Sequence, residues 1–136
     1  MSLAAIQAVI DAQILTGIDQ GLIAFQNTTF DPAGLDHWYE TQMLALNRVA
    51  VGNGPDGVAQ WSGQYLVKCH APLGTGLQQQ AALVDGVTAL FPRGLSLITT
   101  NGLSVIFEAP SPKPPLVEAQ YVTGIAVMPW FTYEAP

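Results

Sequence analysis

The sequence predicts a single α+β domain in which two α-helices pack on a mixed, mostly antiparallel β-sheet. Two segments repeat apolar residues at helical spacing, whereas others alternate as strands or run as β-branched and aromatic stretches. Their order is helix, strand, long hairpin, helix, short hairpin and strand, with no internal repeat and no domain boundary. A chain of 136 residues has the length of one domain and buries about two thirds of the surface of its unfolded state.

The composition is apolar and acidic. Hydrophobic residues make up 49% of the chain and charged residues only 10%, with a formal net charge of −6 at pH 7. Because so few charges solvate a lone monomer poorly, we expect other subunits to cover part of the surface. The ten carboxylates are spread singly along the chain, which argues against a basic footprint for nucleic acid.

No membrane or secretory segment is predicted. Apolar stretches such as LITTNGLSVIF are interrupted well before the ~20 residues of a transmembrane helix. The N-terminus, MSLAAIQAVIDAQ, lacks a basic region and carries Asp11 inside its apolar run, unlike a secretory signal. Cys69 is the only cysteine, so no intramolecular disulfide is expected, which fits a reducing cytoplasm.

The N-terminal segment predicts a helix followed by a short strand. Ser2 is a suitable N-cap and Gly17 ends the helix. Between them, apolar residues recur at helical spacing at Leu3, Ile6, Val9, Ile10 and Ile14. GLIAF, residues 21–25, predicts a brief strand, and QNTTFDPAGLD after it predicts a loop.

Two long strands joined by a hairpin loop are predicted next. HWYETQMLALNRVAV, residues 37–51, is rich in strand formers and contains no proline. VGNGPDGVA follows as a loop that is too long for a two-residue turn. QWSGQYLVKCH, residues 60–70, alternates and predicts a half-buried strand antiparallel to the first. Its apolar face holds Trp61, Tyr65, Val67 and Cys69, and its polar face holds Gln60, Ser62, Gln64, Lys68 and His70.

A second amphipathic helix is predicted over residues 77–91. Thr75 or Gly76 caps it, and the glutamines of its first turn, residues 78–80, are expected on a solvated face. Pro92 and Gly94 in the sequence FPRG stop the helix. The apolar stripe consists of Leu77, Ala81, Val84, Val87 and Phe91, widened by Leu83 and Leu90.

The C-terminal segment predicts a short hairpin and a long strand. Asn-Gly at 101–102, between LSLITT and LSVIFE, is typical of a two-residue type I′ turn. APSPKPPL, residues 109–116, holds four prolines and predicts an extended, irregular loop. EAQYVTGIAVMPWFTYEA, residues 118–135, predicts a long strand whose end Pro129 restricts to an edge or a bulge.

No pattern predicts an active site, a metal or a cofactor. Cys69 and His70 are neighbours on a strand, so their side chains point to opposite faces, and Cys69 is interpreted as a small core residue. His37 and Glu40 could share a metal with His70, but they lack the short spacings of known metal motifs. GTG at 74–76 precedes a helix without the lysine of a phosphate-binding loop. We therefore expect no enzymatic activity.

Four segments together resemble a known family. They are the helix MSLAAIQAVIDA, the strand WSGQYLVKCHAPLGTG that leads into a helix, the stop LFPRGL, and the terminal strand YVTGIAVMPWF. In this order they resemble the bacteriophage tail-terminator-like proteins, the relatives of the minor tail protein U of lambda-like siphophages. The positions that carry the resemblance are Gly63, Tyr65, Pro72, Gly76, Phe91, Pro92, Gly94 and Trp130.

The resemblance implies a structural protein without catalysis. Proteins like these assemble as a homohexameric ring that caps the finished tail tube, halts its polymerisation and presents a surface for joining the head. The implied partners are further copies of the chain, the tail-tube protein and a head-completion protein, with DNA passing through the channel without sequence-specific binding. The implied location is the virion tail of a phage or prophage, after synthesis in the host cytoplasm.

Candidate interface residues accompany this prediction, together with one alternative function. Arg93, between a proline and a glycine, either pairs with a carboxylate of a neighbouring subunit or is a solvated charge at a helix end. The alternative is a small non-catalytic binding module for a sugar or peptide, which uses aromatic residues at alternating strand positions. The candidate oligomer or tube interface residues are Arg48, Asp56, Arg93, Lys113 and Trp130.

Overall fold

The fold consists of a seven-stranded sheet with two α-helices on one of its faces. The computed structural model describes residues 3–26, 28–51, 58–74, 77–118 and 120–134. In chain order the elements are α1 (Leu3–Ile14), a 3₁₀ turn (Gln20–Leu22), β1 (Ile23–Ala24), β2 (Trp38–Val51), β3 (Val58–Pro72), α2 (Gln78–Leu90), β4 (Ser96–Ile98), β5 (Ser104–Phe107), β6 (Ser111–Val117) and β7 (Tyr121–Glu134). This architecture confirms the predicted α+β class.

The long strands β3 and β7 form the centre of the sheet. The strand order is β1-β2-β3-β7-β5-β4, and β6 pairs with β7 beside β5. Strand β1 runs parallel to β2, whereas the other described pairs are antiparallel. The predicted long hairpin is β2 and β3, and residues 52–57 of its loop lie outside the described residues.

Helix α1 buries the apolar stripe that its periodicity predicts. Ile6, Ile10 and Ile14 are fully buried, because residues four apart lie on the same side of a helix. The side-chain amide of Gln13 donates a hydrogen bond of 2.8 Å to the carbonyl of Leu90 and so ties α1 to the end of α2. The predicted cap Ser2 lies outside the described residues.

Helix α2 buries a stripe that is rotated from the predicted one. Leu77 is 56% exposed and Ala81 is exposed, although both were predicted to be buried. Gln80, predicted on a solvated face, is buried, and its amide donates a hydrogen bond of 3.0 Å to the carbonyl of Leu77. The reason is Gly124 of β7, which has no side chain and leaves the space that Gln80 occupies. The predicted capping residues, 75–76, lie outside the described residues.

The core lies between the helices and the sheet. Its largest fully buried side chains are Trp130, Tyr65, Phe91 and Phe107. The ring centroid of Phe91 is 5.8 Å from that of Tyr65 and 5.1 Å from that of Phe107. The predicted helix stop is confirmed: Gly94 adopts a φ of 86°, and its amide donates a hydrogen bond of 2.8 Å to the carbonyl of Phe107.

Strands β4 and β5 form the predicted hairpin, but its turn is wider than predicted. The amide of Thr99 donates a 2.8 Å hydrogen bond to the carbonyl of Leu103, which leaves three residues in the loop. Gly102 has a φ of 87°, as the last residue of such a loop requires, and glycine adopts this conformation without strain. The Thr99 hydroxyl also accepts a 3.0 Å hydrogen bond from the Leu103 amide. The type I′ prediction is therefore wrong.

The segments that contain proline also differ from the predictions. Residues 111–117, predicted to be an irregular loop, form the exposed edge strand β6. The register of β6 against β7 shifts between Lys113 and Leu116, because the two prolines between them have no amide hydrogen to donate. Pro129, predicted at an edge or a bulge, lies in the central strand β7. Its carbonyl accepts a 2.9 Å hydrogen bond from the amide of Glu108, between the segments of β7 that pair with β6 and with β5. Pro129, which has no amide hydrogen, therefore lies where β7 pairs with neither β5 nor β6 on that side.

Candidate functional site

One face of the sheet carries no helix among the described residues, and we call it the open face. The register places alternate side chains of β2, β3 and β7 on it, while their neighbours face α1 and α2. Ile98, the most exposed apolar side chain on this face, is 71% exposed, and Tyr133 is 49% exposed. The larger apolar members are Leu44, Val49, Leu66, Ile98, Ile106, Leu116, Ile125, Phe131 and Tyr133. Polar side chains, among them Gln60, Ser62 and Gln64 of β3, lie between these apolar ones. Exposed apolar side chains grouped with polar ones are typical of a contact surface.

Two lysines lie in one row of the open face. Lys68 of β3 and Lys113 of β6 are both paired with Ile125 of β7, one from each side. Because neighbouring strands are about 4.8 Å apart, the Cα atoms of the two lysines are about 10 Å apart. Lys68 is not among the predicted interface residues, although its position on the polar face of an alternating strand is a signal for it.

An aromatic cluster closes one end of the open face. The ring of Trp38 stacks on Phe30 with centroids 5.4 Å apart and on His70 with centroids 4.1 Å apart. Tyr121 approaches Trp38 and His70 edge-on, at 5.8 Å and 5.7 Å. The indole Nε1 of Trp38 is buried and has no hydrogen-bond partner among the described residues. The cluster holds the loop between β1 and β2 against the sheet.

His70 lies inside this cluster, on the predicted polar face of β3, but it is only 3% exposed, although the polar side chains of a half-buried strand are expected in contact with solvent. Its Nδ1 lies 2.8 Å from Oγ1 of Thr123, and its Nε2 lies 2.7 Å from Oε1 of Glu40. The two flanking strands thus satisfy both ring nitrogens, which allows a buried imidazole. With a neutral ring, Nε2–H donates to the carboxylate and Nδ1 accepts from the hydroxyl. This arrangement stabilises the sheet.

Arg93 lies at the rim of a cleft of about 510 Å³ between the end of α2 and β5. It is exposed and forms no salt bridge within the part of the chain that the structure describes. Both predicted alternatives, a solvated charge and a pair with a neighbour's carboxylate, are compatible with this position. The other residues lining the cleft are Gly94, Ile106, Phe107, Glu108, Ala109 and Phe131.

The other candidate interface residues that the structure describes lie on three different strands, Arg48 in β2, Lys113 in β6 and Trp130 in β7. The guanidinium carbon of Arg48 is 5.6 Å from the centroid of the Trp61 ring. Trp130 is 1% exposed, and its Nε1–H donates to the sulfur of Met43 at 3.2 Å, so its side chain belongs to the core. Asp56 lies outside the described residues. The interface role of these residues stays a prediction.

Of the three residues considered for metal binding, His70 and Glu40 are hydrogen-bonded to each other, whereas the ring of His37 packs edge-on against Tyr39. Cys69 is fully buried, and burial raises the pKa of its thiol to about 12, so it is no nucleophile at neutral pH. Its side chain faces the helices, whereas His70 lies on the open face. Among the described residues, no group of three His, Cys, Asp or Glu side chains is placed to hold a metal ion. No described helix is long and apolar enough to cross a membrane.

The family model described as phage tail terminator protein matches residues 3–130. The chain belongs to the phage tail terminator family. This tail-terminator-family chain is therefore a structural protein of the phage tail, and the predicted family is confirmed. No curated protein sequence is significantly similar to it.

A solved structure shares the fold of this tail-terminator-family chain. The two have a TM-score of 0.75 and 22% sequence identity, over 100% of this chain and 99% of the other. At that identity, the likeness concerns the fold. It shows that the helix-on-sheet fold recurs over the whole length of another chain.

Proposed function

We propose that the protein is a tail terminator that forms a homohexameric ring, caps the tail tube, stops its polymerisation and joins it to the head. Its partners are further copies of itself, the tail-tube protein and a head-completion protein. Membership of the tail terminator family supports this proposal. The phage DNA passes through the ring without sequence-specific binding, which fits a chain with a net charge of −6.

The observation that carries the proposal is the open face. In a folded monomer the large apolar side chains of a sheet are normally covered by helices or a second sheet, because exposed apolar area costs free energy in water. Here Ile98 and Leu116, at 71% and 52% exposure, remain in contact with solvent. Association with other subunits or with the tube removes this area from water, as in other assemblies.

The proposal is tested by adding the purified protein to polymerising tail-tube protein and measuring tube lengths by electron microscopy. We expect shorter tubes with a ring at one end, and a hexamer in sedimentation experiments, either free or on the tube. Synthesis in the host cytoplasm followed by recovery in the virion tail is checked by fractionation of infected cells. Tubes of unchanged length without rings would contradict the proposal.

A matched pair of variants tests the role of the open face. Ile98→Asp places a charge on this face at a position that is 71% exposed. Val117→Asp places the same charge at a position that is 74% exposed, in β6, on the opposite side of the sheet by register. Neither side chain is needed for the core, so both variants should fold. We expect the Ile98 variant to lose ring formation and the Val117 variant to retain it.

The alternative function, a sugar or peptide binding module on an aromatic face, gains no support from the aromatic side chains. Among the described Phe, Trp and Tyr residues, Tyr133 is the one classed as exposed. Trp130 is in the core and Trp38 is stacked between Phe30 and His70. A stacking platform for a ligand needs exposed ring faces.

A further inference from the structure

Asn101 and Gly102, at the tip of the hairpin of β4 and β5, form a dipeptide with a chemistry of its own. The backbone nitrogen of the residue after an asparagine can attack the side-chain carbonyl carbon of that asparagine. Glycine at this position has no Cβ atom to hinder the attack. Asn101 is exposed, so water reaches its side chain. The pair therefore carries the groups that spontaneous deamidation needs.

The reaction consumes only water. The amide nitrogen of Gly102 loses its proton and forms a bond to Cγ of Asn101, and the side-chain nitrogen leaves as ammonia. Water then opens the cyclic imide at either of its two carbonyl carbons. The product is an aspartate or an isoaspartate. In sum, an amide and a water molecule become a carboxylic acid and ammonia, and nothing is oxidised or reduced.

The folded hairpin holds both reacting groups in other bonds. The Gly102 amide donates a hydrogen bond of 3.0 Å to the carbonyl of Thr99, which opposes the loss of its proton. The Thr99 hydroxyl donates to Oδ1 of Asn101 and accepts a 3.0 Å hydrogen bond from the amide of Leu103. Thr99 is only 4% exposed, so its hydroxyl is shielded from competing water. The Asn101 side chain is thus tied to a residue before it, whereas the attack comes from the residue after it.

We propose that Asn101 is a deamidation site that the folded hairpin keeps closed, and that the Thr99 hydroxyl is the group that closes it. The reaction then requires local opening of the hairpin, as hydrogen exchange of a protected amide does. Deamidation is confined to chains that are unfolded or whose hairpin is open. The inference does not depend on the proposed ring function.

The products differ from the original chain where the open face begins. An isoaspartate at residue 101 adds a carbon atom to the main chain of a loop in which Thr99 pairs with Leu103. The hydrogen bonds of that loop then no longer fit, and β4, with the exposed Ile98, loses its fixed place in the sheet. A chain that is deamidated before it folds should therefore have a lower Tm than the original.

Trypsin separates this site from a second Asn-Gly pair, which begins at Asn53 and lies outside the described residues. Cleavage after arginine and lysine releases residues 49–68 and 94–136, because Lys113 is followed by proline and resists cleavage. Each peptide contains one asparagine, Asn53 or Asn101. The protein is kept at mildly alkaline pH, either folded or in guanidinium chloride, and deamidation of each peptide is followed by mass spectrometry.

The comparison of the folded and the unfolded chain tests the protection. In guanidinium chloride Asn53 and Asn101 should react at similar rates, because both precede glycine and neither is held by a fold. In the folded protein Asn101 should react about tenfold more slowly or less than in the unfolded chain. Equal rates of deamidation at Asn101 in the two states would overturn the proposal.

A matched pair of variants identifies the protecting group. Thr99→Val keeps the shape of the side chain without its hydroxyl, whereas Thr99→Ser keeps the hydroxyl. In the folded state Thr99→Val should deamidate at Asn101 about tenfold faster than the original chain, and Thr99→Ser within about threefold of it. The rate at Asn53 should stay unchanged, which separates a local effect from general unfolding. A Thr99→Val chain no faster than the original, or a Thr99→Ser chain as fast as Thr99→Val, would overturn the role of Thr99.

Discussion

Gly63 of β3 lies directly beneath the indole ring of Trp130 of β7. The two residues are register partners in the sheet, and a Cβ atom at residue 63 would lie 2.7 Å from Cζ2 and 2.9 Å from Cε2 of the indole. The ring occupies this position because its Nε1–H donates to the sulfur of Met43. Both residues are among those that carry the family resemblance, and this contact gives the physical reason for finding them together.

Replacement of Gly63 by Ala should destabilise the fold by about 1–3 kcal/mol, since the core has no space for an added methyl group. The free energy of unfolding is measured by urea denaturation. A smaller ring should relieve part of the overlap, so Trp130→Phe should cost less in the Gly63→Ala background than in the original chain. Additive costs would contradict direct contact as the cause.

Gly124 of β7 is required by helix α2. A Cβ atom at residue 124 would overlap Oε1 of Gln80 and lie 2.6 Å from Cγ2 of Val84. We expect Gly124→Ala to push α2 away from the sheet and lower the free energy of unfolding by about 1–3 kcal/mol. Gly86→Ala is the matched control, because no atom lies within 4 Å of its added Cβ and alanine favours a helix by about 1 kcal/mol. If Gly124→Ala left the free energy of unfolding unchanged, the side chain of Gln80 would have moved aside without cost, and the predicted requirement for glycine would be wrong.

The hydrogen-bonded pair of half-buried Asp11 and buried Tyr65 should give the free energy of unfolding a defined pH dependence. Burial raises the pKa of Asp11 above 3.8, and the hydrogen bond from Tyr65 lowers it by less. The folded protein therefore binds a proton more readily than the unfolded chain, so the free energy of unfolding falls as pH rises from 3.8 through the folded-state pKa. Above that range the contribution is constant and unfavourable.

Asp11→Asn should remove this pH dependence, because the amide oxygen still accepts the Tyr65 hydrogen bond without ionising. The free energy of unfolding of both chains is measured by urea denaturation at several pH values. The difference between the original chain and the Asn variant isolates the contribution of Asp11. Tyr65→Phe should raise the pKa of Asp11 further and cost about 1 kcal/mol for the lost hydrogen bond. If the free energies of unfolding of the original chain and the Asn variant changed with pH in parallel, the pH dependence would not come from Asp11.

Cys69 should be inert in the folded protein. Its thiol is fully buried and its pKa is raised to about 12, so the thiolate is both rare and inaccessible at mildly alkaline pH. A thiol reagent should therefore modify Cys69 only at the rate of unfolding, whereas the urea-unfolded chain reacts at once. Rapid modification of the folded protein, without loss of structure, would contradict the core position.

Helix and strand positions were predictable where the signal is local. The repeat of Ile6, Ile10 and Ile14 placed α1, and the alternation through Tyr65, Val67 and Cys69 placed β3 with its buried face. These patterns work because burial of one face imposes a period of 3.6 or 2 on neighbouring residues. The helix stop at Gly94 was also predictable, because a positive φ favours glycine and is likewise a local property of the chain.

Burial of polar side chains was not predictable, because it depends on partners far along the chain. Gln80 is buried because Gly124, more than forty positions later, leaves space for it. His70 is buried because Glu40 and Thr123, from two different strands, satisfy its two nitrogens. The alternation of β3 carries no information about either neighbour.

The sequence by itself determined the fold class, the order and faces of the long elements, and the membership of a tail terminator family, since periodicity and short motifs are properties of neighbouring residues. Only the tertiary structure decided which face of the sheet stays uncovered and that Lys68 and Lys113 lie on either side of Ile125 on it. The physical reason is that strand register joins residues distant in sequence: a shift by one residue would move each side chain to the other face.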